Sequence, residues 1–354
     1  MKPLRTVSSL DTFAALQLMT QVVDNEVAGF IAEGEIPQDL PTEVSDDIGL
    51  IVQSSGSTGT PKRIEIPLSA LKHSAISSAT RLGGDGQWLL ALPTNFIAGA
   101  NVLFRSVMAD TQPVMINTRV PFTTDAFIRG ASVMEGSRRY TSLVPAQLSK
   151  LASAAEQDAF VFSMLRKFDA ILVGGQQPNW SDVEGLRSKG VNVVVSYGMT
   201  ETSGGCIYDG VPLEGVSFRL TDGVIELSGP VLAKGLGDWF RTSDLGEVVD
   251  GKLHVLGRSD RVIVSGGIKV ALDRVEQVAR QIAGVQEVSA IAVSSEWGES
   301  VGLLYVGSPE AEFSSLVDAI SIAAKPKKVM RVDEIPLLSS GKPDLIRCRE
   351  LLAD

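Results

Sequence analysis

Nine consecutive residues, Ser54-Ser55-Gly56-Ser57-Thr58-Gly59-Thr60-Pro61-Lys62, bring hydroxyls, glycines and a lysine together. Hydroxyls, glycine N–H groups and an ammonium all donate to an anion at little steric cost, so the run can cradle phosphate. Its spacing is not that of a GxxxxGKS or GxxxxGKT loop leading into a helix, which excludes a motor of that type. A plain Ser/Gly turn has the same composition. A second run, Ser196-Tyr197-Gly198-Met199-Thr200-Glu201-Thr202, follows the apolar stretch Val191–Val195. If that stretch is a strand, the run lies at its carboxyl end, where open α/β sheets bind ligands. Glu201 is then suited to a magnesium ion riding on ATP phosphates, Thr200 to donation onto the α-phosphate, and Tyr197 to stacking on a purine. A strand-to-helix turn with a solvated Glu201 is the alternative.

Two further elements are weaker alone. Asp244, in Phe240-Arg241-Thr242-Ser243-Asp244-Leu245-Gly246, can accept both hydroxyls of a ribose. Arg258, in Gly257-Arg258-Ser259-Asp260, can add a charge-assisted contact to the sugar or to phosphate. Taken singly, these are ordinary hairpin residues. Lys342 lies in Ser339-Ser340-Gly341-Lys342-Pro343, where a lysine beside glycine is ordinarily solvated.

The elements that must position these residues change character along the chain. Leu10 to about Ala32 has helical apolar spacing, and a Pro-rich linker runs to about Pro41. From Ile48, strand-like runs (Gly49–Gln53, Trp88–Leu92, Val114–Ile116, Ala170–Val173, Val191–Val195) alternate with helical ones (Ser69–Arg81, Ala100–Ala109, Ala146–Ala154). That alternation predicts a large layered α/β domain with mostly parallel strands. After Arg219, short strands with turn residues give way to a helix with Leu272, Val275, Val278, Ala279 and Ile282 at helical spacing, a second helix near Phe313–Ala324 and a polar tail. The fold class expected is α/β, with an amino-terminal domain over 1–259 and a small α+β carboxy-terminal domain over 260–354.

The totals exclude several classes. A chain of 354 residues has material for two domains, and a net charge of -10 argues against nucleic acid or an anionic membrane surface as the main partner. Cys206, Cys348, His73 and His254 are too few and too scattered for a His/Cys zinc site. MKPLRTVSSLDTF lacks the apolar core of a signal peptide, and Pro93, Thr94 and Asn95 break the apolar stretch Trp88–Phe104, so no membrane span and a cytoplasmic location are expected. The oligomeric state is not legible.

In this order the four elements resemble the adenylate-forming superfamily of acyl-CoA synthetases, adenylation domains and luciferases. SSGSTGTPK resembles its phosphate loop, SYGMTET its adenine and magnesium motif, and FRTSDLG its ribose motif, with Ser243 where glycine is usual. GRSDRVIVSGGIKV resembles its hinge motif and SSGKPD the motif of its catalytic lysine. The short stretch before Ser54 resembles a compact subgroup, the o-succinylbenzoate–CoA ligases of menaquinone synthesis. Leu92-Pro93-Thr94-Asn95-Phe96-Ile97-Ala98-Gly99 with Arg105 resembles their LPxxHxxG…R segment, with Phe96 in place of histidine, and Glu201 to Gly210 resembles actinobacterial-type members.

The resemblance implies ATP, Mg²⁺ and coenzyme A as cofactors and a small carboxylic acid as substrate. It implies a nucleotide site of Ser54, Ser55, Gly56, Ser57, Thr58, Gly59, Thr60, Lys62, Gly174, Gly175, Gln176, Ser196, Tyr197, Gly198, Met199, Asp244 and Arg258, with Lys342, Thr200 and Glu201 as catalytic residues and Glu201 on the metal. Phe96, Arg105, Gly204 and Gly205 would line the acyl pocket, Asp260 would be the hinge of a mobile carboxy-terminal domain, and Ser265, Gly266 and Gly267 would face CoA. Arg105 either clamps a substrate carboxylate or salt-bridges locally on its helix. Other readings are a ligase or adenylating enzyme for a different aryl, fatty or amino acid, and a non-catalytic binder of AMP or acyl-adenylate.

Overall fold

In the computed structural model, which describes residues 1–54, 62–295, 298–338 and 341–353, the apolar runs of the first half become two sheets with helices between them. Residues 55–61 and 339–340, and with them Ser55 to Thr60 of the expected phosphate loop, lie outside the described residues. The chain divides into two compact units, 1–218 with 227–240, and 219–226 with 241–354.

In the first unit a seven-stranded sheet is ordered 211–212, Gly204–Tyr208, Val193–Met199, Ala170–Gly174, Arg139–Leu143, Gln87–Leu90 and Val114–Met115. The strands from Val193–Met199 to Val114–Met115 pair in parallel, and Gly204–Tyr208 runs antiparallel beside Val193–Met199. Parallel strands need crossovers, here helices such as Ile97–Met108, Pro145–Gln157 and Trp180–Ser188, and both strand faces are buried beneath them. The carboxyl ends of Ala170–Gly174 and Val193–Met199 therefore emerge side by side, with Gly174 opposite Ser196.

A five-stranded sheet is ordered Glu43–Val44, Lys2–Ser8, Ala28–Ala32, Ile48–Ser54 and Lys62–Pro67. Of the stretch Leu10 to about Ala32, expected to be helical, Thr12–Val23 is a helix but Ala28–Ala32 is a strand, and a further strand, Lys2–Ser8, precedes it. All five residues of Ala28–Ala32 are buried, and such a strand has no polar alternation to distinguish it from a buried helical turn.

Strands Phe240–Val249 and Lys252–Arg258 form an antiparallel hairpin, part of a four-stranded sheet with 217–221 and 224–228, most of whose residues belong to the second unit. A second sheet is ordered Ile268–Ala271, Val262–Ser265, Gly298–Gly307 and Val285–Ser295, and Lys328–Arg331 pairs in parallel with Gly298–Gly307. Helix Leu272–Ala279 packs its apolar stripe, Leu272, Val275, Val278 and Ala279, into that sheet's core. The polar tail is structured: Lys328–Arg331 is a strand, and helix Leu345–Ala353 buries Cys348 and Leu352 against Ile291, Leu304 and Ile335. Phe313–Ala324 forms a short helix, Ser315–Ala319, and a 3₁₀ turn, Ile322–Ala324. Asp260 lies within the second unit, in the 3₁₀ turn Ser259–Arg261 between its two sheets.

Candidate active site

The Ser196–Thr202 run leaves the sheet as its composition suggests. Strand Val193–Met199 ends in a 3₁₀ turn, Thr200–Thr202, and the chain returns as strand Gly204–Tyr208. Thr202 Oγ1 closes the turn, accepting from the Met199 N–H at 2.9 Å and lying 2.8 Å from the Gly204 carbonyl. The Glu201 carbonyl accepts from the Ala233 N–H at 2.8 Å, and Ser203 Oγ donates to the Val231 carbonyl at 2.7 Å. Tyr197, Met199, Thr200 and Glu201 stay half-buried, while Thr202 and Ser203 are fully buried. The Thr200 and Glu201 side chains thus stand on a turn whose backbone is fixed from beneath.

Glycines in this region answer to close approach. A Cβ on Gly198 would overlap the Gly204 carbonyl oxygen, one on Gly205 the Ser196 hydroxyl, and one on Gly204 the Asn101 amide nitrogen. A Cβ on Gly174 would sit 2.6 Å from the Ser196 carbonyl oxygen, while Gly175 and Gln176 are exposed beyond the strand end. The register between Val193–Met199 and Gly204–Tyr208 slips at Tyr197/Gly198, a bulge beside the turn. Cys206 is fully buried in that strand, and burial pushes its thiol up to about 12, which removes it as a nucleophile at neutral pH. His73 sits 2.8 Å from the Glu214 carbonyl and His254 is exposed on a strand.

Phe96 is half-buried at the N-cap of helix Ile97–Met108, and Gly99 is required there because a Cβ would overlap the Pro93 carbonyl. Arg105, on the same helix, is 7% exposed. Its guanidinium lies 5.1 Å from the centre of the Trp88 ring, and Nη2 donates to the Tyr208 hydroxyl at 3.4 Å. Tyr208 in turn is 2.7 Å from Ser78 Oγ. Arg105 Nε has no hydrogen-bond partner, and among the described residues no carboxylate lies within ion-pair distance of this side chain. A cavity of about 90 Å³ borders it, lined also by Trp88, Tyr140, Met108 and Asp85. A buried cation outside any ion pair is costly, although the cavity beside it also carries the Asp85 carboxylate, so its lining is of mixed charge.

Lys62 is exposed at the start of strand Lys62–Pro67, opposite Ser54 in register.

In the second unit Asp244 and Arg258 are register partners on adjacent strands. Arg258 Nη1 lies 3.8 Å from Asp244 Oδ1, and Arg258 Nε donates to Asp260 Oδ1 at 2.8 Å. Arg258 holds the Asp260 carboxyl below the usual carboxylate range. The residues flanking Asp260 are anchored to helix Leu272–Ala279: the Arg258 N–H donates to Asp273 Oδ2 at 2.6 Å, and Arg261 pairs with Asp273 at 2.6 Å and Glu276 at 2.7 Å. Gly266 and Gly267, both at positive φ, form the two-residue tip between Val262–Ser265 and Ile268–Ala271, with open space where Cβ atoms would stand. Lys342 is exposed, and its carbonyl accepts from the Leu338 N–H at 2.8 Å.

Among the described residues no group of three or more His, Cys, Asp or Glu side chains could cage a metal. A lone, half-buried Glu201 beside Thr200 fits magnesium nonetheless, because that ion keeps several waters and takes one or two carboxylates plus substrate phosphates. No helix among the described residues is long and apolar enough to cross a membrane.

Sequence reasoning missed Asn101, Ser74, Ser78, Trp88 and Tyr208, which hold the turn or surround Arg105. The available signal was Asn101 itself, a polar residue on the buried face of AGANVLF, four residues from Ile97 and four from Arg105.

The chain is 37% identical to the "probable 2-succinylbenzoate–CoA ligase" of Mycobacterium tuberculosis, covering 85% of this chain and 84% of that protein. It is 29% identical to the 2-succinylbenzoate–CoA ligase of Bacillus pumilus, over 87% of this chain and 71% of that one. Its fold matches o-succinylbenzoate CoA synthetase from Bacillus subtilis, solved with the acyl-adenylate intermediate OSB-AMP, with a TM-score of 0.74 at 23% identity, over 97% of this chain and 83% of that chain. The model of the family described as "AMP-binding enzyme" matches residues 4–224, which include the fixed turn and Glu201. With that match spanning more than half its length, the chain belongs to the AMP-binding enzyme family.

Proposed function

We propose that the chain is a 2-succinylbenzoate–CoA ligase, which adenylates the succinyl carboxylate and passes the acyl group to coenzyme A. The observation that carries the substrate reading is Arg105, a buried cation with no acidic partner among the described residues. Relatives at 37% and 29% identity bear the name of this activity. An arene carrying both a succinyl chain and a ring carboxylate needs one carboxylate at the reacting phosphorus and a fixed cation for the other. Guanidinium binds carboxylate through two parallel hydrogen bonds, which also orients the ring.

In the first half-reaction a substrate carboxylate oxygen bonds to the α-phosphorus of ATP while the bond to the β-phosphate oxygen breaks, and pyrophosphate leaves. A carboxylate is already a nucleophile, so the reaction needs no general base. Its difficulty is the approach of an anion to a polyanion, which positioning and fixed positive charge overcome. Thr200 donates to the α-phosphate, Tyr197 stacks on the adenine bordered by Gly174, Gly175 and Gln176, and Asp244 accepts the ribose hydroxyls. The run from Ser54 to Lys62 holds the leaving pyrophosphate, and Lys342 supplies a cation to the α-phosphate and the attacking carboxylate. Magnesium, held by Glu201, would neutralise phosphate charge.

In the second half-reaction the CoA sulfur bonds to the acyl carbon and AMP departs. Here the part of the chain after Asp260 turns about that residue, taking Lys342 away and bringing Ser265, Gly266 and Gly267 to the pantetheine arm. The border between the two working domains is accordingly assigned to 259/260, within the second unit.

The test is substrate-dependent pyrophosphate release with o-succinylbenzoate, ATP and Mg²⁺, followed by mass spectrometry with and without CoA. An o-succinylbenzoyl thioester formed only with CoA is the expected result. Turnover with other carboxylic acids and none with o-succinylbenzoate would discard the substrate and keep the adenylation chemistry.

A further inference from the structure

The turn that carries Glu201 is held by residues that have no part in the two half-reactions. Ser203, two positions beyond Glu201, has φ of +55°, a left-handed conformation that a serine keeps only when its surroundings impose it. Its carbonyl oxygen accepts from Asn101 Nδ2 at 2.8 Å and from Ser74 Oγ at 3.3 Å. The two donors stand on different helices, Ile97–Met108 and Leu68–Leu82. Ser74, Asn101, Thr202 and Ser203 are all buried, so no water replaces a donor that is lost.

Asn101 does more than satisfy that oxygen. Its amide nitrogen fills the space a Cβ on Gly204 would need, which fixes the register between helix and turn. One face of the helix follows the returning strand: Ile97 and Asn101 lie beside Gly204, and Arg105 reaches Tyr208. The helix that begins at Phe96 and bears Arg105 is thereby locked to the turn that bears Glu201.

We propose that Asn101 is the positioning residue of the metal turn: through the Ser203 carbonyl it fixes the Thr200–Thr202 turn, and with it the point at which the Glu201 carboxylate meets nucleotide-bound magnesium. The inference rests on the reading of Glu201 as the metal ligand.

The experiment is calorimetric titration of the full chain with ATP, with and without Mg²⁺, and separately with adenosine, which lacks the phosphate assigned to Thr200. Asn101→Asp keeps the shape of the side chain and turns its donor into an oxygen that repels the Ser203 carbonyl. The magnesium-dependent gain in ATP affinity is expected to fall about tenfold, while adenosine affinity, which engages neither Thr200 nor Glu201, stays within about twofold. An amide that merely supports the fold would lower both affinities together, and that outcome, or no change in either, overturns the proposal. Glu201→Gln separates the two ideas. If it leaves the magnesium dependence intact, the metal assignment itself has failed; if it abolishes the dependence while Asn101→Asp does not alter it, only the role of Asn101 has failed. Should Asn101→Asp not fold, Ser74→Ala removes the longer of the two bonds, and a loss of about two- to threefold confined to the magnesium-dependent term is expected. An unchanged magnesium term in Ser74→Ala would then overturn the proposal.

Discussion

Arg258 grips Asp260 through Nε and Nη2 while its remaining nitrogen, Nη1, stands 3.8 Å from Asp244. One guanidinium thus lies between the residue assigned to the ribose and the residue assigned to the hinge. Asp260 draws Arg258 to its own side, which limits competition with ribose hydroxyls for the Asp244 oxygens. Asp260→Asn weakens that hold, and AMP affinity is expected to fall by about three- to tenfold. The pair is partly exposed, so thermal stability should move little. Arg258 lowers the pKa of Asp260 in the folded chain, so its stabilising contribution is present above the unfolded carboxylate value and is lost as pH falls through the folded one. The ratio of wild-type to Asp260→Asn AMP affinity, in which the ionisation of the AMP phosphate cancels, should therefore be flat from about pH 6 to 8, well above the carboxylate range. An unchanged AMP affinity in the variant would show that Arg258 and Asp260 do not bear on the nucleotide.

Arg105 offers a sharper discrimination. Arg105→Leu removes the cation proposed to face the ring carboxylate, and kcat/KM for o-succinylbenzoate should fall about 10²- to 10³-fold. With 3-benzoylpropionate, which lacks that carboxylate, the change should stay within about threefold. Stability supplies an independent readout: a buried cation with no acidic partner is a desolvation cost, so Tm should hold or rise. Equal losses on both acids would assign Arg105 to the fold and not to the substrate.

Legibility in the sequence follows how local each signal is. Val191–Val195 reads as a buried strand from composition, and that alone puts Glu201 beyond the carboxyl end of a sheet. Helix Leu272–Ala279 announces itself through its apolar stripe. Strand Arg139–Leu143 does not, because its polar groups are satisfied by distant partners: Thr141 Oγ1 donates to the Leu89 carbonyl and the Tyr140 hydroxyl to those of Leu82 and Gly84. Asn101 is illegible for the same reason, since its acceptor lies a hundred residues away in sequence, at Ser203. Gly198 and Gly205 look like flexible loop glycines, yet each is needed because another part of the chain occupies the space of its Cβ.

Lys342 tests the division between binding and chemistry. Lys342→Ala removes the cation assigned to the attacking carboxylate and the α-phosphate, interactions that strengthen as the transition state forms. Adenylation, followed as pyrophosphate release in a single turnover, should fall by about 10²-fold or more, while ATP affinity measured by calorimetry changes by no more than about threefold. A variant that releases pyrophosphate at the wild-type rate would remove Lys342 from the first half-reaction.

Two half-buried glycines in the strands flanking the turn predict a difference in stability that can be measured without any ligand. Gly205→Ala drives a methyl group into the Ser196 hydroxyl, a side-chain atom that can rotate away. Gly198→Ala drives it into the Gly204 carbonyl, which is backbone and belongs to a turn pinned by Thr202, Ser203 and Asn101. Overpacking that a rotamer can absorb costs about 1 kcal/mol, whereas overpacking against fixed backbone costs about 2–3 kcal/mol. Urea unfolding should therefore rank Gly198→Ala below Gly205→Ala, and both below the wild type. Gly198→Ala should also lose magnesium-dependent ATP affinity, because the only relief for the clash is to move the turn that carries Glu201. If Gly198→Ala unfolds at the wild-type midpoint, the turn is not fixed from beneath, and the positioning of Glu201 must come from the ligand instead.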